Sequence, residues 1–145
     1  MNLIYLDTSA LVKLYVREPG TDDVQKLVKS SASIGTSLIS KAEAAAAFSK
    51  AIRVGYIASE ETRVAWEAFR DAWPSVVRLA INETIVTQAG TLAFSHGLRG
   101  YDAVHLATAL NWQDTLAIPV LFATYDQQLW KIAQQVQIAV WPRSF

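Results

Sequence analysis

Four carboxylates stand at positions from which they could do chemistry together: Asp7, Glu43, Asp102 and Asp126. Asp7 ends the apolar run Leu3-Ile4-Tyr5-Leu6, and Asp126 closes Ala123-Thr124-Tyr125-Asp126 behind a second apolar run. Carboxylates brought within a few ångström repel one another and burial raises their pKa, so an ionised cluster persists only when cations compensate. Hard oxygen ligands in a chain with no cysteine and 2 histidines point to Mg²⁺ or Mn²⁺. The missing cysteine also excludes disulfides, thiolate zinc sites and cysteine nucleophiles.

Positioning such acids is a task for the surrounding elements. Leu3 to Leu6 reads as a strand, Ala10 to Arg17 as a helix stopped by Pro19-Gly20, and Thr21-Asp22-Asp23 as the cap of a helix running to about Ser30. A weak strand at Ser33 to Ser37 precedes an Ala-rich helix from Ser40 to Gly55. A helix from Ser59 carries Trp66, Phe69 and Trp73 and stops at Pro74, and Val76 to Ile81 reads as a strand. Asn82-Glu83 caps a helix to His96-Gly97, and Gly100-Tyr101-Asp102 opens the next. Pro119 to Ala123 is a buried strand, Gln127 to Gln135 a helix and Ile138 to Trp141 a last strand.

Strands alternating with helices imply one α/β domain over residues 1–145, with a mainly parallel central sheet and helices on both faces. In such sheets the functional crevice lies beyond the carboxyl ends of the strands. Asp7 and Asp126 follow strands, and Glu43 and Asp102 sit in first turns of helices, so four acids remote in sequence are expected to converge. Each also has a structural reading. Ser40-x-x-Glu43 has the spacing of a capping box, which spacing alone favours over metal ligation, and Asp102 after Gly100 fits helix-dipole compensation equally well. Asp7 and Asp126 favour function, because an acid directly after a buried strand has less to do for the fold.

The chain resembles the PIN-domain nucleases, and more closely the VapC-type toxins of bacterial toxin–antitoxin pairs. The resemblance covers nearly the whole length and rests on Ile4-Tyr5-Leu6-Asp7-Thr8-Ser9-Ala10, Ser40-Lys41-Ala42-Glu43, Gly100-Tyr101-Asp102-Ala103-Val104-His105-Leu106-Ala107-Thr108-Ala109 and Ala123-Thr124-Tyr125-Asp126. It implies a metal-dependent endoribonuclease with catalytic and metal-binding Asp7, Glu43, Asp102 and Asp126, using Mg²⁺ or Mn²⁺, an RNA substrate, a small antitoxin partner and a homodimer. Gln127 and Gln128 stand where some relatives carry another acid, which implies a second metal that binds weakly or only with substrate. Three rivals remain. One is a PIN-like domain that binds RNA or a partner without cleaving. Another is a phosphatase of the haloacid-dehalogenase type, whose chemistry wants a second Asp where Ser9 stands. The third is simple packing, in which the acids are unrelated caps.

On the nuclease reading, Asp7, Asp102 and Asp126 hold the tighter ion and Glu43 completes the cage or orients the attacking water. Ser9 and Thr124 are expected to support the ligands through their hydroxyls. Lys13, Arg17, Lys41 and Arg99 lie near the acidic motifs and are candidate phosphate contacts, against an alternative of ordinary surface charge. His105, three residues after Asp102, reads more readily as a buried hydrogen-bonded histidine than as a ligand. Lys plus Arg and Asp plus Glu both total 13, so no overall basic field draws in RNA. The opening residues lack a basic leader, and no apolar run approaches the ~20 residues of a membrane span, so a cytoplasmic protein is expected.

Overall fold

Residues 2–145 are described by the structure, a computed structural model. In chain order the elements are β1 (Leu3–Leu6), α1 (Thr8–Leu11), α2 (Thr21–Lys29), β2 (Ser33–Ser37), α3 (Ile39–Arg53), α4 (Ser59–Ala72), β3 (Val77–Leu79), α5 (Glu83–His96), α6 (Gly100–Leu116), β4 (Val120–Ala123), α7 (Gln127–Gln135) and β5 (Ala139–Trp141). The strands form one five-stranded sheet in the order β3-β2-β1-β4-β5, with every neighbouring pair parallel. Parallel pairing requires a crossover between strands, and the crossover helices cover both faces, as the alternating pattern implied.

Side-chain alternation along β1 shows how one short strand feeds two cores. Tyr5 points to one face, where it packs with Phe122, Leu106, Ala109, Ile85 and Leu129 from β4, α6, α5 and α7. Ile4 and Leu6 point to the other, joining Leu11, Ala44, Phe48, Phe69 and Trp73. On that second face Phe48, Trp66, Phe69 and Trp73 form a run of aromatic contacts, with Trp66 and Phe69 stacked at 5.6 Å between centroids. Gly35 in β2 is required by this packing, since a Cβ there would fall 2.8 Å from the Trp112 ring.

Some elements differ from their sequence expectation. The helix expected over Ala10 to Arg17 is the four-residue α1 followed by a 3-10 turn, Val12–Leu14. The Val12 carbonyl accepts from both Tyr15 N and Val16 N at 3.0 Å, and the Lys13 ammonium turns to Glu18 and the Pro19 carbonyl, so the chain leaves the helix early. Pro74 does not end α4 directly. The helix closes at Ala72 and Pro74 lies inside the 3-10 turn Trp73–Ser75, where its missing N–H is not needed. The strand expected over Val76 to Ile81 is trimmed to β3. No helix among the described residues is long and apolar enough to cross a membrane.

Candidate active site

The register of β1 against β4 sets Leu6 beside Ala123, so the next residues, Asp7 and Thr124, leave the same carboxyl edge together. Asp7 N donates to the Ala123 carbonyl at 3.1 Å, and Thr124 Oγ1 donates to Asp7 Oδ2 at 2.5 Å. The other carboxylate oxygen, Oδ1, accepts from Ser9 Oγ at 2.6 Å and from Ala10 N at 3.0 Å, which makes Asp7 the N-cap of α1. Asp7 is 4% exposed. Burial pushes its pKa up, and the charge of His105 and the three hydrogen bonds only partly offset that desolvation.

The Thr124 hydroxyl also accepts from Asp126 N at 3.0 Å, and Asp126 Oδ1 accepts from Leu129 N at 2.9 Å as the N-cap of α7. Its second oxygen, Oδ2, accepts from Arg99 Nη2 at 3.1 Å, while Arg99 Nε donates to Asp102 Oδ2 at 2.8 Å. One guanidinium thus spans carboxylates from α6 and from the β4–α7 turn. Ser9 ties the two edges further, donating to Asp7 and accepting from Tyr125 N at 3.0 Å.

Glu43 arrives from the other side. Helix α3 begins at Ile39, so Glu43 lies beyond its first turn, and no side-chain cap closes that helix. The capping box suggested by Ser40-x-x-Glu43 therefore does not form. Ser40 instead bonds Thr36 Oγ1 at 2.6 Å, and Glu43 Oε1 accepts from Thr8 Oγ1 at 2.7 Å and pairs with His105 Nε2 at 2.6 Å. Burial pushes the Glu43 pKa up, but the hydrogen bond and charge of His105, with help from Thr8 and Arg99, hold it below the ordinary carboxylate range. His105 is buried, as its position in an apolar helix suggested, and its Nδ1 lies 2.7 Å from the Tyr5 hydroxyl.

The four acids are brought to one edge from four separate segments, with Ser9 and Thr124 between Asp7 and the Asp126 turn. They are neighbours without being a closed chelate: among the described residues no three acidic or histidine side chains are drawn together tightly enough to grip an ion. The donor set is carboxylate oxygen, which fits a hard divalent cation, and Asp102 and Asp126 are already bridged by a cationic guanidinium whose side chain is 76% exposed.

The basic residues separate. Lys13 is committed to Glu18 at 3.0 Å and lies over the Tyr125 ring, and Arg17 pairs with Asp22 at 2.7 Å, so neither is left free toward the acids. Lys41 is exposed in a depression that also contains Arg70, Arg78, Glu67 and Asp71. Arg99 is the one of the four in contact with the acids. Sequence reasoning missed Thr8 and Tyr5. A hydroxyl directly after Asp7 and a tyrosine inside a buried strand were the available signals.

The family model described as "PIN domain" matches residues 4–134, a span that includes all four acids. The chain belongs to the PIN-domain family. Among PIN-domain relatives, Ribonuclease VapC45 of Mycobacterium tuberculosis (strain CDC 1551 / Oshkosh) is 33% identical over 129 residues, covering 89% of this chain and 88% of that protein. Ribonuclease VapC46 of Mycobacterium tuberculosis (strain ATCC 25618 / H37Rv) is 31% identical over 140 residues, 97% of each. The fold is shared with the solved structure of VapBC2 from Rickettsia felis bound to a DNA fragment from its promoter, at a TM-score of 0.65 and 13% identity over 95% of this chain and 96% of that one.

Proposed function

We propose that this PIN-domain chain is a divalent-metal-dependent endoribonuclease acting as the toxin of a toxin–antitoxin pair in the cytoplasm. The observation that carries the reading is the meeting of Asp7, Glu43, Asp102 and Asp126 at the carboxyl edge of the sheet, linked through Thr8, Thr124 and Arg99. The ribonuclease names of the relatives at 31% and 33% identity support the substrate class. The toxin–antitoxin complexes among proteins of the same fold support a small protein partner, with a second copy of the chain as a further expectation.

Asp7, Asp102 and Asp126 would hold the ion and Glu43 would complete its surroundings. Mg²⁺ or Mn²⁺ bound there supplies Lewis acidity, activating water and offsetting charge that develops on the phosphate. Thr124 and Ser9 hold Asp7 in place, and so pre-orient a ligand that is otherwise costly to keep ionised in a buried position. Arg99, released from Asp102 and Asp126, is placed to pair with a phosphate oxygen. No serine or cysteine nucleophile enters the scheme.

The test is cleavage of a mixed RNA pool with Mg²⁺ or Mn²⁺ present and after chelation. Cleavage that needs the metal, disappears in folded Asp102→Asn and leaves 5′-phosphate and 3′-hydroxyl ends supports the reading. Cyclic 2′,3′-phosphate ends would overturn it, because they require attack by the ribose hydroxyl. RNA binding without cleavage would favour the non-catalytic domain.

A further inference from the structure

Tyr5 and His105 form a buried polar pair that the scheme above leaves without a task. Tyr5 is fully buried in the middle of β1, and His105 is 2% exposed on α6. Burying two hydrogen-bonding side chains in an apolar layer is costly unless each finds a partner. Here each does, and the chain of contacts ends at Glu43. Tyr5 Oη lies 2.7 Å from His105 Nδ1, and His105 Nε2 lies 2.6 Å from Glu43 Oε1.

Resting on the reading of Glu43 as part of the metal site, we propose that His105, fixed by Tyr5, is the positioning residue that aims Glu43 into that site. The chemistry of the two contacts sets the proton positions. A carboxylate oxygen only accepts, so Nε2 carries a proton and donates to Glu43, and in the neutral ring Nδ1 is left to accept from the phenol. The opposite tautomer would set a lone pair on Nε2 against the carboxylate at hydrogen-bond distance. Burial and the nearby charges of Asp7 and Glu43 keep the phenol protonated, in agreement with this order.

Both donors to Glu43, Thr8 Oγ1 and His105 Nε2, fall on the same oxygen, Oε1. The two bonds hold the carboxylate at one end and leave Oε2 for another partner. A carboxylate anchored this way needs no reordering when an ion or water arrives, which is how a buried hydrogen-bond partner raises the affinity of a metal ligand. A purely structural histidine would need its two partners but would gain nothing from placing both donors on one oxygen of an acid at the cleft.

Two measurements test the proposal. The chain has 2 histidines, so in His96→Asn the nitrogen-15 spectrum of the remaining imidazole belongs to His105. At neutral pH the spectrum is expected to show Nε2 protonated, and a ring bare at Nε2 overturns the proposal. Calorimetric titration with Mn²⁺ alone then compares His105→Gln, whose amide reaches the Nε2 position, with His105→Asn, whose amide stops near Nδ1. Glutamine is expected to stay within about threefold of the parent affinity, whereas asparagine and Tyr5→Phe weaken it by ~10-fold or more with circular dichroism unchanged. Equal affinity in all variants, or equal losses in glutamine and asparagine, overturns the proposal while leaving the metal site intact. Absence of Mn²⁺ binding in the parent protein removes the metal-site reading and this proposal with it.

Discussion

Asp7 and Asp126 hold helix N-termini with the same carboxylates that join the acid cluster, whereas Glu43 and Asp102 cap nothing. Spacing alone favoured a capping role for Glu43, left Asp102 evenly divided and gave the two post-strand acids less to do for the fold. The difference teaches that an acid following a strand in this fold is also the residue preceding a helix, so one side chain serves both the fold and the cleft. Glu43, reached by donors remote in sequence, is held by the site and owes little to its own helix.

The largest effects should separate the two pairs by stability. Asp7→Ala and Asp126→Ala are expected to lose RNA cleavage by more than the ~10–100-fold typical of residues behind a metal ligand. Each should also lose about 1 kcal/mol of stability with its cap. Glu43→Gln and Asp102→Asn should lose cleavage comparably while losing less stability than the about 1 kcal/mol of a missing cap. A large stability loss in Glu43→Gln would break the distinction.

Asp7→Asn sharpens it, because asparagine caps about as well as aspartate but carries no buried charge. That variant should melt above wild type at neutral pH in metal-free buffer. The sign follows from the raised pKa of Asp7: the folded state binds the proton more tightly, so wild type loses stability as pH rises from the ordinary carboxylate range through the raised value. The gap to Asp7→Asn should therefore close on acidification. Glu43 runs the other way. Its pKa is lowered by folding, so its contribution is present above the ordinary range and lost as pH falls through the depressed value. Thermal melts of Glu43→Gln against wild type across acid pH should show that contribution vanish.

The smallest effect concerns Arg99, whose exposed guanidinium bridges Asp102 and Asp126. Arg99→Ala should tighten Mn²⁺ binding a few-fold by removing a competing cation and weaken RNA binding, as calorimetry and filter binding would read. Unchanged metal affinity would show that the bridge does not compete.

Much of this arrangement was legible in the sequence because it is local. The run Leu3 to Leu6 gave β1, and Asp126 before Gln127 gave the start of α7, since strand formers and caps act over a few residues. The early end of α1 was not legible, because Lys13 leaves for Glu18 and Pro19 and packs over Tyr125, a contact made across most of the chain. Nor was the anchoring of Glu43, whose donors Thr8 and His105 lie 35 and 62 residues away. Family resemblance placed Glu43 in the site, but only the packing of β1, α3 and α6 supplies the contacts that hold it there.

The most direct test of the account is calorimetric titration of Mn²⁺ into wild type and Asp102→Asn, both partner-free and folded by circular dichroism. The account predicts saturable binding to wild type that is lost in Asp102→Asn at an unchanged melting temperature. Equal binding by both proteins, or none by folded wild type, would contradict a metal site built from these four acids.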